Sequence, residues 1–97
     1  MNQSVSRKQK AYILIRVQPG KEVELYDGLK QIPNIVGIDF VRGSFDFIVL
    51  AEGTGNEVEK VVFEVRKLLH IISTETLTCF ETLPWEELSG RLDYGHV

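Results

Sequence analysis

Apolar residues in this chain follow two rhythms, one nearly continuous or alternating by two and one recurring every three to four positions. Ala11-Tyr12-Ile13-Leu14-Ile15-Arg16-Val17 is β-rich and almost unbroken, which suits a central strand covered on both faces. Within it Tyr12, Leu14 and Arg16 alternate with Ala11, Ile13, Ile15 and Val17, so one face carries large side chains whichever way the strand is turned. Pro19-Gly20 stops the run. From Lys21 to Ile32 the spacing changes: Leu25, Leu29 and Ile32 share one side, with Tyr26 at its margin, and predict a helix. Gly28 lies inside that helix at a cost of about 1 kcal/mol relative to alanine, which a close approach of helix to sheet would explain. Pro33-Asn34 ends it.

The second half repeats the order. Ile35 to Arg42 predicts a strand, Gly43-Ser44 a turn, and Phe45 to Glu52 a further strand, the short link making an antiparallel hairpin. Gly53-Thr54-Gly55-Asn56 carries helix-start chemistry: Thr54 with Glu57, or Asn56 with Glu59, has the spacing of a capping box. The helix that follows runs to about Leu69, with Val58, Val61, Val62, Val65, Leu68 and Leu69 as its apolar face. Phe63 falls off that face and is free to meet another subunit. Ile71 to Glu81 predicts a Thr-rich last strand, and Pro84-Trp85-Glu86-Glu87-Leu88 a short helix that Gly90 would end.

The order is therefore βαββαβ, two βαβ halves joined by a hairpin. The expected packing is α+β and ferredoxin-like: a four-stranded antiparallel sheet with both helices on one face. The opposite face then has no cover within the chain, which predicts a sheet-to-sheet homodimer. The domain itself is expected over residues 11–81. Residues 1–10 read as a polar, disordered tail and residues 82–97 as an extension.

Composition narrows the function. With 97 residues, 43% hydrophobic and 26% charged, the chain holds one ordinary globular domain. A net charge of −3 argues against direct nucleic-acid binding, which needs a basic face. No apolar run approaches the roughly 20 residues that cross a bilayer, and no signal-peptide core follows the basic start, so a cytoplasmic protein with no membrane partner is expected. Cys79, the one cysteine, excludes an internal disulfide and is expected in the core of the last strand. His70 sits where a helix C-terminus favours positive charge. No His/Cys/Asp cluster has metal-ligand spacing, and there is no phosphate loop, nucleophile elbow or catalytic carboxylate pair, so no cofactor is expected.

One place carries candidate chemistry. Asp46 interrupts an apolar segment beside Gly43, in Val41-Arg42-Gly43-Ser44-Phe45-Asp46-Phe47. Its carboxylate can hold a ligand ammonium or stabilise the turn by accepting backbone N–H groups. Thr74, Thr76 and Thr78 share one face of the last strand. Their hydroxyls can take a ligand carboxylate or express β-propensity alone. Both pairs of readings stand open from the residues.

Five segments in register resemble one family: Ala11-Tyr12-Ile13-Leu14-Ile15, Pro19-Gly20-Lys21-Glu22, Leu29-Lys30-Gln31-Ile32-Pro33, Gly43-Ser44-Phe45-Asp46 and Ser73-Thr74-Glu75-Thr76-Leu77. They are similar to the effector-binding (RAM) domain of the Lrp/AsnC, or feast/famine, transcription regulators. The resemblance implies a ferredoxin-like fold, α+β barrel dimers, and dimers joined in rings, often octameric. It also implies that amino acids bind where dimers meet. Gly43 and Asp46 match the family's Gly-x-Tyr/Phe-Asp, with Ser44 in the same turn; Thr74 and Thr76 match its Thr-x-Thr; Leu77 and Thr78 fall at lining positions that vary with the ligand. Full regulators carry an N-terminal helix-turn-helix. Only ten polar residues precede the first predicted strand here, so the likeness is to the effector domain by itself and DNA binding is not carried over.

The leading expectation is a non-enzymatic amino-acid sensor that oligomerises and regulates transcription indirectly, by co-assembly with full-length Lrp/AsnC regulators. Two other readings compete. One is a small dimeric α+β barrel enzyme of the monooxygenase kind, against which the strands offer only Asp46, Arg16 and hydroxyls. The other is a ligand-free interaction module that docks a partner through residues 83–97.

Overall fold

A computed structural model describes residues 8–84 and 86. It contains β1 (Gln9–Val17), α1 (Glu22–Leu29), β2 (Ile35–Phe40), β3 (Phe47–Gly53), α2 (Gly55–Arg66) and β4 (Ile71–Thr78). One open, fully antiparallel sheet runs β2-β3-β1-β4, so the two βαβ halves interleave in the ferredoxin-like manner that the pattern predicts. Residues 1–7 of the predicted tail, and most of the predicted Pro84–Leu88 helix, fall outside the described residues.

Period-two burial fixes which face of β1 is inside. Ala11, Ile13, Ile15 and Val17 are buried and pack with Phe47, Val49 and Ala51 of β3 beneath Leu25 and Leu29 of α1 and Val58, Val61 and Val65 of α2. Burying each of the larger side chains contributes about 1.5–3 kcal/mol, so this layer holds the chain together. At its edge Phe40 stacks on Phe47 (centroids 4.8 Å, 7° between planes) and meets Tyr26 edge-on at 5.4 Å. Tyr12, Leu14, Ile48 and Leu50, on the opposite face, are half-exposed. Of the double-sided cover that the unbroken run of β1 suggests, the described residues supply one side.

Local chemistry sets the boundaries. Thr54 caps α2: its Oγ1 accepts the Glu57 N–H at 3.2 Å while Glu57 Oε1 accepts the Thr54 N–H at 2.8 Å, selecting the first of the two predicted boxes. The Pro19-Gly20 turn closes through Lys21 N–H to the Gln18 carbonyl at 3.0 Å. Asn34 adopts a positive φ of 72° and donates from Nδ2 to the Glu52 carbonyl, tying the start of β2 to β3. Phe63 is 64% exposed on the outer face of α2, as its spacing predicts, with the Lys67 ammonium 5.6 Å from its ring centre.

Several elements depart from expectation. α1 ends at Leu29 and α2 at Arg66, earlier than the apolar spacing suggests, and Leu69 is 75% exposed rather than part of the α2 face. A Cβ on Gly28 would meet Leu68 Cδ2 at 3.1 Å, so the close approach is to the chain after α2, not to the sheet. Cys79 lies just past β4, half-buried, its Sγ 3.5 Å from Thr82 Oγ1, and is not a core residue. β1 begins two residues ahead of the predicted strand, at Gln9.

Candidate functional site

The link between β2 and β3 is longer than a tight Gly-Ser turn. Residues 41–46 all lie outside the strands, and the loop is closed at its base by Val41 N–H to the Asp46 carbonyl at 2.8 Å. Gly43 sits at φ +144°, a conformation that side-chain-bearing residues rarely adopt, with open space where its Cβ would be. Its glycine is therefore required by backbone angle, and its main chain is left uncovered. Ser44 is exposed beside it.

Asp46 stands where the main-chain ladder of β1 and β3 stops. Its N–H donates to the Ile15 carbonyl at 2.9 Å. Its Oδ2 accepts the Val17 N–H, also at 2.9 Å, taking the place of the next main-chain acceptor as β3 leaves the sheet. This carboxylate thus bonds across to β1, 29 residues away, rather than to the N–H groups of its own turn. Among the described residues Oδ1 accepts no hydrogen bond and the side chain forms no ion pair, which leaves one carboxylate oxygen for a ligand cation.

The β4 residues lie differently. Thr74 pairs with Ile15, Thr76 with Ile13 and Thr78 with Ala11, so all three share the face covered by the helices. Thr76 and Thr78 line a cleft of about 370 Å³ with Gln9, Val58 and Val62. Leu77 pairs with Tyr12 on the bare face and is 47% exposed. Thr74 is level with the turn but separated from it by β1. Asp46 lies level with Arg16 and Thr78 with Ala11, so the turn and Thr78 are about 17 Å apart along the sheet at the usual rise per residue. Gly43, Ser44 and Asp46 therefore form one group and Thr76, Leu77 and Thr78 another, at opposite ends of the sheet; one chain does not bring them together.

Two further clefts lie elsewhere. One, of about 580 Å³, runs between the start of β1 and the segment after β4, lined by Lys8, Lys10, Thr78 and Phe80 among others. The other, about 570 Å³, is a groove between α1 and α2 floored by Gly28, Ile32, Val61 and Leu68. Among the described residues no group of His, Cys, Asp and Glu side chains can hold a metal ion, and no helix is long and apolar enough to cross a membrane.

Sequence reasoning missed the far side of Asp46. Val17 is followed by Gln18, whose N–H donates to the His70 carbonyl at 2.9 Å and whose Oε1 lies 3.3 Å from His70 Nδ1. His70 is held at φ +76° and leads directly into β4. No local sequence signal marks this contact, because its partners are 52 residues apart.

No family model matches the chain, and no curated protein matches it. Solved structures do. The chain is similar to TTHA0845 from Thermus thermophilus, with 26% identity and a TM-score of 0.72 over 78% of this chain and 98% of that one. It is similar to FFRP-DM1 at 30% identity and a TM-score of 0.67, over 74% of this chain and 99% of that one. Escherichia coli AsnC shares the fold, with a TM-score of 0.70 at 13% identity, over 78% of this chain and 53% of that one.

Proposed function

The chain belongs to the Lrp/AsnC (feast/famine) family, as an effector-binding or RAM domain, and from that premise we propose that it is a non-enzymatic sensor of a free amino acid, active as an oligomer. The observation that carries this reading is Asp46: a carboxylate fixed by the Val17 N–H through one oxygen, with the other oxygen open, in the same loop as the exposed main chain of Gly43. A zwitterion needs both, an anion for its ammonium and bare N–H groups for its carboxylate. Gly43, Ser44 and Asp46 supply the head-group end. Thr76, Leu77 and Thr78, with Thr74 nearer the turn end of the same strand, supply side-chain contacts, and on this reading they come from a neighbouring subunit, since Thr78 lies about 17 Å from the turn along the sheet.

The same reading includes assembly, as the family resemblance implies. The bare face of the sheet docks on a second copy to give the α+β barrel dimer, and ligand held between dimers shifts the balance toward rings, octamers included, by its higher affinity for the assembled form. Output to transcription is indirect, through co-assembly with full-length Lrp/AsnC regulators in the cytoplasm. Membership of a family of transcription regulators supports a regulatory rather than a catalytic role.

Isothermal titration with each of the twenty amino acids tests the reading. At least one is expected to bind, and Asp46→Ala is expected to weaken it by about 2–3 kcal/mol, the loss of a charge-assisted contact. Failure of all twenty to bind, with assembly unchanged in Asp46→Ala, would contradict it.

A further inference from the structure

We propose that Asp46 is also the first element of a hydrogen-bond relay that carries ligand occupancy across β1 to the start of β4. The inference deepens the amino-acid site just described and rests on that reading for its ligand, but the relay itself is a property of the free protein.

Successive N–H groups at the end of β1 point to opposite edges of the strand. Val17 N–H goes to Asp46 Oδ2 on the β3 side at 2.9 Å. Gln18 N–H goes to the His70 carbonyl on the β4 side, also at 2.9 Å. The Gln18 side chain doubles the second link, its Oε1 accepting from His70 Nδ1 at 3.3 Å. His70 is held at φ +76°, an unfavourable region for a residue with a Cβ, so its position depends on these contacts. Just before the two links the β1–β4 register shifts at Arg16/Val17, so that Arg16 pairs with Ser73 and Val17 with Ile71. The carboxylate at the turn thus fixes the one peptide whose two neighbours set both the end of the β1–β3 ladder and the entry into β4.

An amino acid whose ammonium engages Oδ1 immobilises the Asp46 carboxylate and with it the Val17 and Gln18 main chain. The effect arrives at Ile71 and Thr74, on the strand that also bears Thr76, Leu77 and Thr78. Occupancy at the turn end of one chain is therefore felt by the strand that the same chain offers to its neighbour. By linkage, loosening the β4 end weakens ligand binding at the turn.

Amide hydrogen exchange followed by NMR tests the relay on the full chain. Without ligand, Asp46→Ala is expected to speed exchange at both Val17 and Gln18 by about tenfold, the loss of a hydrogen bond to a charged group. Asp46→Asn, whose amide oxygen still accepts from Val17, is expected to stay within about threefold of the native rates. With the binding amino acid present, both amides are expected to slow, and Gln18→Ala, which leaves the turn intact, is expected to bind that amino acid about fivefold more weakly. Faster exchange at Val17 with Gln18 unmoved would overturn the relay, as would ligand protection confined to Val17. If Asp46→Ala does not fold, Asp46→Asn and the native protein with ligand still decide the matter. If no amino acid binds, the sensor reading fails, and the ligand-free exchange rates still stand or fall by themselves.

Discussion

The two faces of the sheet are built from the same strands and do opposite things. Under the helices, Ile13, Ile15, Phe47 and Val49 are sealed from water. On the other side Tyr12, Leu14, Ile48 and Leu50 are only half-covered, and Arg16, Asp39 and Glu75 stand exposed among them. One face closes the chain on itself; the other, half-exposed and apolar with charges among it, is the face that the sensor reading assigns to a second copy. Side-chain size does not separate them, since Leu14 is as apolar as Ile13. Position relative to α1 and α2 does.

The largest expected effect lies on the closed face. Phe47→Ala removes a buried ring and its stack with Phe40, and is expected to cost about 3–5 kcal/mol in urea unfolding. A loss below about 1 kcal/mol would mean that the face is not the core. Leu50→Lys sharpens the contrast from the other side. Sedimentation is expected to show the self-association constant weakened about 100-fold or more, while the protein stays folded. Unchanged association would move the dimer contact off this face. Thr54→Ala is a smaller test that touches neither face. It removes the capping box of α2 and is expected to lower stability by about 1 kcal/mol with assembly unaltered. A change in assembly would show that the two faces are coupled through α2.

How much of this was legible beforehand depends on range. Local rules held: the alternation in β1, the Thr54–Glu57 box and the outward Phe63 all follow from neighbours within a few positions. The order βαββαβ followed from changes of period, and with it the sheet. What alternation does not give is which side a face is on. Thr74, Thr76 and Thr78 read correctly as sharing a face, but only their pairing with Ile15, Ile13 and Ala11 puts that face under the helices. Likewise Gly28 signals a close approach without naming Leu68 as its neighbour. The link is longer than its Gly-Ser pair predicts, and at its end Asp46 Oδ2 accepts the Val17 N–H, a contact across 29 residues that no dipeptide rule contains.

The candidate site shows the same division. Gly43 and Asp46 stand out in the sequence as a bare backbone near an isolated carboxylate, and the structure keeps both in one loop. Their distance from Thr76, Leu77 and Thr78 is a consequence of strand register, and it is what makes a second subunit necessary to the sensor reading.

Native mass spectrometry of the full chain, with and without a mixture of amino acids, tests the central claim most directly. The account predicts dimers or larger rings that retain amino-acid adducts and shift toward the larger species when the mixture is present. Monomers without adducts under both conditions would contradict it.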